Sequence, residues 1–399
     1  MKKVKLLHIV PDDKFIDDTI EVFSEISADS SFVSFAHNLP YRYIRRHSCD
    51  VIPIEQSKLL EKIDIEGYQI VMFHSLSREY YDLVLNIPLN VKVWWSAWGF
   101  DLYCEQFYDG RIIPPILDIT LLRNKTKFLI KHGVVELPIT KLLKRSIKSL
   151  YRNILQLPES IENYFVIKQE KNKQCQFLSR IDYMSVVLPS EFDALCKIKE
   201  FKAEYFPWQY VSNVKGLGQV VHPFVSESAS TILFGNSATP TNNHIDIYAL
   251  LKKRKIKNTC VVPLSYGDNY YKDLLFNVIG DDEQFQLLLD FIPKDIYYKL
   301  LLSCRIGVFG HIRQQAMGNI LTLIRQGCKV YLYKDSIAYK YLHREGFIVF
   351  TIEEDLYPTH IEKLLTKEEQ QWNRNNADKH FSFEKVVNGI NKKLNEKYA

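Results

Sequence analysis

The chain has 399 residues, 46% of them hydrophobic and 25% charged, with a formal net charge of +5. That length accommodates two domains of ordinary size, and the composition excludes disordered, collagen-like and linker-rich polypeptides. Seven cysteines, odd in number and without a Cys-x-x-Cys pair, exclude a zinc site and predict free, mostly buried thiols in a reducing compartment.

The first apolar run, 4–10, is broken by Lys5 and His8 and is too short and polar for a signal peptide. No run of about 18 apolar residues occurs anywhere, so a cytoplasmic protein that does not span a membrane is expected. Residues 5–10 predict a buried strand, followed by the polar turn Pro11-Asp12-Asp13 and a helix through Ile16, Ile20 and Phe23. Further apolar runs at 32–35, 68–73 and 91–95, with a helix at 78–85, predict a parallel, doubly wound sheet. Ligands of such sheets bind beyond the carboxyl ends of the strands. Asp12 and Asp13, His74 and Asp101 all fall at those ends. Each could serve as a cap or a loop hydrogen-bonding group, but three at one edge make a candidate acid–base site.

The basic character is local. Residues 123–152 hold nine Lys or Arg against one acid, Glu136. Within and just beyond them, Ile139, Leu142, Leu143, Ile147, Leu150, Tyr151, Ile154 and Leu155 recur at helical spacing. Lys141, Lys144, Arg145, Lys148 and Arg152 take the other faces. This predicts a basic amphipathic helix that either lies on an anionic membrane surface or packs on the core with a solvated face. No nucleic-acid partner is expected, because stacking aromatics and nucleic-acid motifs are lacking.

A strand at 184–188 resumes the sheet, and Ser190-Glu191-Phe192-Asp193 reads as a capping box opening a helix. Residues 202–225, with Pro207, Gly216, Gly218 and Pro223 and no clear period, read as a domain boundary. Strands are then predicted at 231–234, 259–262, 284–289, 306–309, 329–333 and 347–350, with helices from Pro293 and through Ile320, Leu321 and Ile324. A last helix starts near Ser382. The expected domains are 1–215, with the basic insertion at about 121–180, then 216–375, and a closing helix over 376–399.

The stretch 231–244 carries the strongest chemistry. A buried strand stops at Gly235-Asn236-Ser237, and helix-start residues follow at 240–243. Free N–H groups and the positive end of a helix make such a place suitable for an anion, although a plain turn has the same outline. Downstream, Arg313, Gln314 and Gln315 offer a cation at a strand end and a second helix N-terminus. Together they fit a diphosphate. Neither a P-loop nor a dinucleotide fingerprint is present, and no Asp-x-Asp triplet is available for a metal on a nucleotide. A transferase using no metal and no cofactor, with protein groups stabilising a leaving diphosphate, follows from this.

Trp98-Gly99-Phe100-Asp101-Leu102-Tyr103, Phe234-Gly235-Asn236-Ser237 with Asn243-His244, Val261-Val262-Pro263 with Tyr266, and Arg313-Gln314-Gln315 with Gly318 stand in this order. They resemble the motifs of the bacterial 4-alpha-L-fucosyltransferase family, glycosyltransferase family 56, typified by transfer of N-acetylfucosamine to a lipid-linked antigen precursor. His8, Asp13 and His74 also fall where that family has matching residues, whereas Ser96 stands where it has a His. The resemblance implies a GT-B fold, two Rossmann-like domains facing a cleft. It also implies inverting transfer of a deoxyaminosugar from a nucleotide diphosphate to an undecaprenyl-diphosphate-linked saccharide. The first domain would hold the acceptor, with the base among Asp101, Asp13 and His74 and Asp101 favoured. The second would hold the donor through Gly235, Asn236, Ser237, Asn243, His244, Pro263, Tyr266, Arg313, Gln314, Gln315 and Gly318. The basic helix would seat the enzyme on the inner face of the cell membrane. A nucleotide-sugar epimerase and a non-catalytic sugar-binding protein are the alternatives.

Overall fold

The computed structural model describes residues 3–35, 39–108, 111–133, 157–210, 224, 226 and 230–398. They divide into two compact units, one within Met1–Asp118, Asn163–Val220 and Lys379–Ala399, the other within Ile119–Glu162 and Val221–Asp378. Lys141, Lys144, Arg145, Lys148 and Arg152, assigned above to a membrane-facing helix, lie outside the described residues.

The first unit is built on strands β1 (Val4–Ile9), β2 (Ala28–Ser34), β3 (Val51–Pro53), β4 (Ile70–His74) and β5 (Lys92–Ser96). A short antiparallel hairpin, β6 (Gln106–Tyr108) and β7 (Arg111–Ile113), follows, and β8 (Tyr183–Ser185) and β9 (Glu204–Tyr205) complete the sheet. Its order is β3-β2-β1-β4-β5-β8-β9, with every ladder parallel. Leu6, Ile70, Met72, Trp94, Phe206 and Trp208 supply the core, joined by Val386, Ile390 and Leu394 of the helix Phe383–Tyr398. Strands buried on both faces read as continuous apolar runs, which is why β1, β4 and β5 stand out in the sequence.

The second unit has β10 (Thr231–Phe234), β11 (Cys260–Pro263), β12 (Phe285–Leu288), β13 (Cys304–Phe309), β14 (Lys329–Leu332) and β15 (Phe350–Thr351). They form one parallel sheet in the order β12-β11-β10-β13-β14-β15. Two doubly wound parallel α/β units are the GT-B architecture. Both sheets run outward in one direction and reverse beside their first strand, between β1 and β4 in one and between β10 and β13 in the other. Ligands of such sheets sit at that reversal, beyond the carboxyl ends.

Several local expectations shift. The helix after β8 is Pro189–Leu195, so the reaching carboxylate is Glu191, which takes the Leu188 N–H at 3.0 Å, and not Asp193. Proline at the first helical position moves the start ahead of Ser190. A 3-10 turn over Pro240–Asn242 precedes the helix His244–Lys253, and the helix after β13 is Met317–Arg325. The cysteines are free, but only Cys260, Cys304 and Cys328 are buried.

Candidate active site

Asp101 follows β5 in a short turn of helix, Phe100–Tyr103, and is 1% exposed. Its Oδ2 accepts the Leu76 N–H at 3.1 Å and the Trp95 indole N–H at 2.9 Å, while Oδ1 accepts the Trp98 N–H at 2.9 Å. One carboxylate thus ties the end of β4 to the end of β5. Burial pushes its pKa up to about 6, and the same three donors pull against that shift. Asp13, just past β1, is only partly buried. Its Oδ1 accepts the Phe15 N–H at 3.1 Å, and desolvation raises its pKa above the usual carboxylate value.

His74 ends β4 within a buried polar chain. Its Nε2 meets His8 Nδ1 at 2.9 Å and its Nδ1 meets the Tyr210 hydroxyl at 2.6 Å. Ser96 Oγ donates to Tyr210 at 3.2 Å and accepts from the Trp208 indole at 3.0 Å. Ser96, which departs from the family pattern, therefore fills a place in this chain. Burial holds His74 down to about 3 and His8 well below its ordinary value, so both rings are neutral. The Tyr210 ring packs against Trp98 at 5.0 Å and Phe15 at 5.8 Å, and Phe15 is 40% exposed. The reversal point of the first sheet thus has a neutral imidazole pair inside, a partly exposed carboxylate and an aromatic lip.

The second reversal point is built from amides and hydroxyls. Gly235 follows β10 at φ 69°, and a Cβ there would lie 2.7 Å from His244 Nε2 and 2.8 Å from Asn242 Oδ1. Only glycine fits this turn without strain. Gly310, past β13, is packed against the Asn242 carbonyl, which a Cβ would meet at 2.2 Å. The Asn242 amide donates to the Ser237 and Thr239 carbonyls at 2.9 and 3.1 Å, and its Oδ1 accepts the Asn236 N–H at 3.1 Å. That orientation fixes the tautomer of His311, whose Nε2 lies 2.7 Å from Asn242 Oδ1 and 3.0 Å from Asn236 Oδ1 and must carry the proton. Burial, with Arg313 nearby, keeps His311 neutral. Gln315 donates to Asn236 Oδ1 and to Thr239 Oγ1, both at 3.0 Å, and accepts from Thr241 at 2.7 Å.

The side chains expected for donor binding divide. Asn236, Ser237, Gln314 and Gln315 are largely buried around this network. Asn243 and His244 are wholly buried, Asn243 donating to Gly310 O at 2.7 Å and Leu121 O at 3.0 Å and accepting from Arg123 N at 2.7 Å. Pro263 ends β11, and Tyr266 beyond it is 51% exposed with its hydroxyl taking the Asn236 amide at 2.9 Å. Arg313 is partly exposed, with Nη1 donating to Gln314 O at 3.2 Å. Gly318 is exposed in the first turn of Met317–Arg325, a helix without a side-chain cap. Asn242, Thr239 and His311 bind the network together, and Tyr210 closes the first one. Asn242 is expected from the sequence only as a helix-start residue, and Thr239, His311 and Tyr210 carry no expected role, although His311 follows Gly310 at a strand end. Among the described residues, no group of three or more His, Cys, Asp or Glu is placed to hold a metal ion, and no helix is long and apolar enough to cross a membrane.

Residues 194–383 match the family model of 4-alpha-L-fucosyltransferase, glycosyl transferase group 56. The resemblance read from the motifs holds over that stretch, which carries a glycosyltransferase domain. Solved structures share the fold over the whole chain. Sucrose-phosphate synthase from Thermosynechococcus elongatus aligns with a TM-score of 0.61 at 9% identity, covering 99% of each chain. Anabaena HepE in complex with UDP gives 0.56 at 11% identity, over 99% of this chain and 100% of its own. A UDP-N-acetylglucosamine 2-epimerase gives 0.50 at 13% identity, over 100% of this chain and 98% of its own.

Proposed function

We propose that the chain transfers a deoxyaminosugar, N-acetylfucosamine-like, from a nucleotide diphosphate to the hydroxyl of an undecaprenyl-diphosphate-linked saccharide, with inversion and without a metal. The observation that carries this reading is the start of the helix Met317–Arg325 at the reversal point of the second sheet, which has no side-chain cap, leaves Gly318 exposed in its first turn and lies four residues beyond Arg313. Helix-end N–H groups and a guanidinium are what a leaving diphosphate requires. The exposed ring of Tyr266 supports a stacking place for the base, and the Asn236–Gln315 network keeps the surrounding loops in register.

In a single displacement the acceptor oxygen forms its bond to the anomeric carbon as the bond to the diphosphate breaks. The hydroxyl proton passes to a base, and the nucleoside diphosphate leaves with the bonding pair. Among the three candidates, Asp13 suits the base best. It is partly exposed, and desolvation raises its pKa toward the working range of a general base. Asp101 has both oxygens engaged with N–H donors, which suits a group that holds the ends of β4 and β5 for the reaction. His74 suits a positioning part, since its two nitrogens are occupied by His8 and Tyr210.

Attachment to the inner face of the membrane through Lys141, Lys144, Arg145, Lys148 and Arg152 belongs to the same proposal and rests on their sequence pattern. Reversing Lys144, Arg145 and Lys148 to Glu should abolish sedimentation with anionic liposomes at low salt while nucleotide binding is kept. The fold is shared with an epimerase, so isomerisation of a sugar nucleotide is the second reading. Thermal-shift screening against nucleoside diphosphates and their sugars, with products analysed with and without a lipid-linked acceptor, separates the two. Transfer only in the presence of acceptor supports the proposal, and epimerised nucleotide sugar without acceptor refutes it.

A further inference from the structure

The chain leaves β2 at the carboxyl edge of the first sheet and re-enters it near that edge, because Val51 pairs opposite Phe32. Its residues 41–47 read Tyr-Arg-Tyr-Ile-Arg-Arg-His. Tyr41 and Ile44 are buried in the core. Between and beyond these two pegs, Arg42, Tyr43, Arg45 and Arg46 are exposed.

Two carboxylates fix the backbone of this loop. Asp12 accepts the N–H groups of Arg42, Tyr43 and Ile44 at 2.7, 2.9 and 3.1 Å. Asp17 accepts those of Arg45, Arg46 and His47 at 3.1, 3.2 and 3.1 Å. Six consecutive amides are consumed by the turn and helix that follow β1, so the loop can offer a ligand only its side chains. Arg46 is neutralised, because it pairs with Asp17, Asp18 and Glu21. Arg42 and Arg45 form no ion pair among the described residues. The Arg42 guanidinium lies over the Tyr43 ring at 5.0 Å, and Arg45 Nε reaches Arg42 O at 3.4 Å. Beside them Leu39 and Tyr43 are 58% and 39% exposed.

We propose that Arg42 and Arg45 form the binding site for the diphosphate of the lipid-linked acceptor, with Leu39 and Tyr43 receiving the first units of its prenyl chain. Two guanidinia three positions apart on a pinned loop offer one fork to each of two adjacent phosphates, Arg45 through its Nη atoms because its Nε donates to Arg42 O. A loop already ordered by six hydrogen bonds has little entropy left to lose on binding. Asp12, which anchors the loop, is the chain neighbour of Asp13, so the diphosphate would be held next to the turn that carries the proposed base. The inference rests on the transfer reading for the identity of the ligand, but the site can be tested without any transfer assay.

The probe is farnesyl diphosphate, titrated calorimetrically in the presence of saturating nucleoside diphosphate so that the second unit's anion site is occupied. Wild-type protein should bind it, and the double variant Arg42→Gln/Arg45→Gln should bind it at least tenfold more weakly. Both proteins should keep the same melting temperature and nucleotide affinity. The conservative variant Arg42→Lys/Arg45→Lys should retain an intermediate affinity, because a lysine keeps the charge but not the fork. Equal affinity in wild type and the Gln variant would overturn the site. So would a Gln variant that loses only binding to phosphatidylglycerol vesicles, which would make the loop a general headgroup contact. Farnesyl diphosphate that fails to bind wild type while nucleotide binds would refute this site and leave the transfer reading standing. Loop-dependent binding in a protein that never transfers a sugar would do the reverse.

Discussion

The two sheets reverse at equivalent places yet present unlike chemistry there. At the first reversal the groups titrate: Asp13, Asp101, His8 and His74, wrapped by Trp98, Tyr210 and Phe15. At the second, Asn236, Asn242, Gln315, Thr239 and Ser237 hold one another by short hydrogen bonds, with Arg313 and an open helix start beside them. Desolvated acids and neutral imidazoles suit proton movement, which depends on a tuned pKa. A saturated amide network suits rigid placement of donors around an anion, where reorganisation would waste binding energy. The same parallel-sheet topology therefore supports two separable tasks, and substitutions should separate them.

The largest separation should come from Asp13→Asn. Turnover should fall about 10²-fold or more, with nucleotide-diphosphate affinity unchanged. Asp101→Asn probes the same edge differently, because its amide group must face either the Trp98 N–H or the donors on Oδ2. The expected loss is about 1–3 kcal/mol of stability, the cost of a buried unmatched donor, measured by denaturant unfolding. If Asp101→Asn instead kept its stability and lost turnover, the base would be Asp101.

At the second edge, Arg313→Ala should weaken nucleotide-diphosphate binding by about 1.5–3 kcal/mol, the range for hydrogen bonds to charged groups. Gly318→Asp should act in opposite directions on stability and binding. A Cβ there meets nothing within 4 Å, and a carboxylate in the first turn favours the helix by about 0.3–1 kcal/mol. The same charge should repel the diphosphate, so a more stable variant that binds less well is expected from paired melting and calorimetry.

The pH dependence of stability should differ between the units as well. His74 and His244 are each held at about 3 by burial, and His8 and His311 are lowered too. A depressed base contributes stability above its unfolded pKa and loses it as pH falls toward the folded one. Each histidine should therefore take away about 1.4 kcal/mol per pH unit once the medium is below about 6.5. Asp101 works the other way. With its folded pKa raised to about 6, its contribution is full below the ordinary carboxylate value of 3.8 and is lost as pH rises through about 6. Between about pH 6 and 4 it offsets one of the two histidines in the first unit. The second unit, with His244 and His311, should then open first on acidification, as read by hydrogen exchange at successive pH values.

Much of this plan is visible in the sequence because buried parallel strands announce themselves as short, mostly apolar runs. The motifs then fall just past their ends, as at Asp13, His74, Gly235 and Arg313. β3 and β9 escaped because they are edge strands with little buried apolar surface, two of the three residues of β3 being exposed and neither residue of β9 buried. The helix Asn269–Ile279 carries a plain signal, the Asp268 side chain accepting from Tyr271 N, yet Tyr270 and Phe276 on its exposed side blur the periodicity. What local reading cannot supply is pairing across the sheet. His311 meets Asn236 from 75 positions away, and Tyr210 meets His74 from 136. The 41–47 loop was hidden for the same reason, since Asp12 and Asp17 reach it from another element.

The central claim is that one reversal point grips the nucleotide diphosphate and the other does not. Calorimetric titration of a nucleoside diphosphate into wild type, Arg313→Ala and Asp13→Asn tests it without any acceptor. The account predicts at least tenfold weaker binding for Arg313→Ala and wild-type affinity for Asp13→Asn. Weakened binding in Asp13→Asn together with unchanged binding in Arg313→Ala would contradict it.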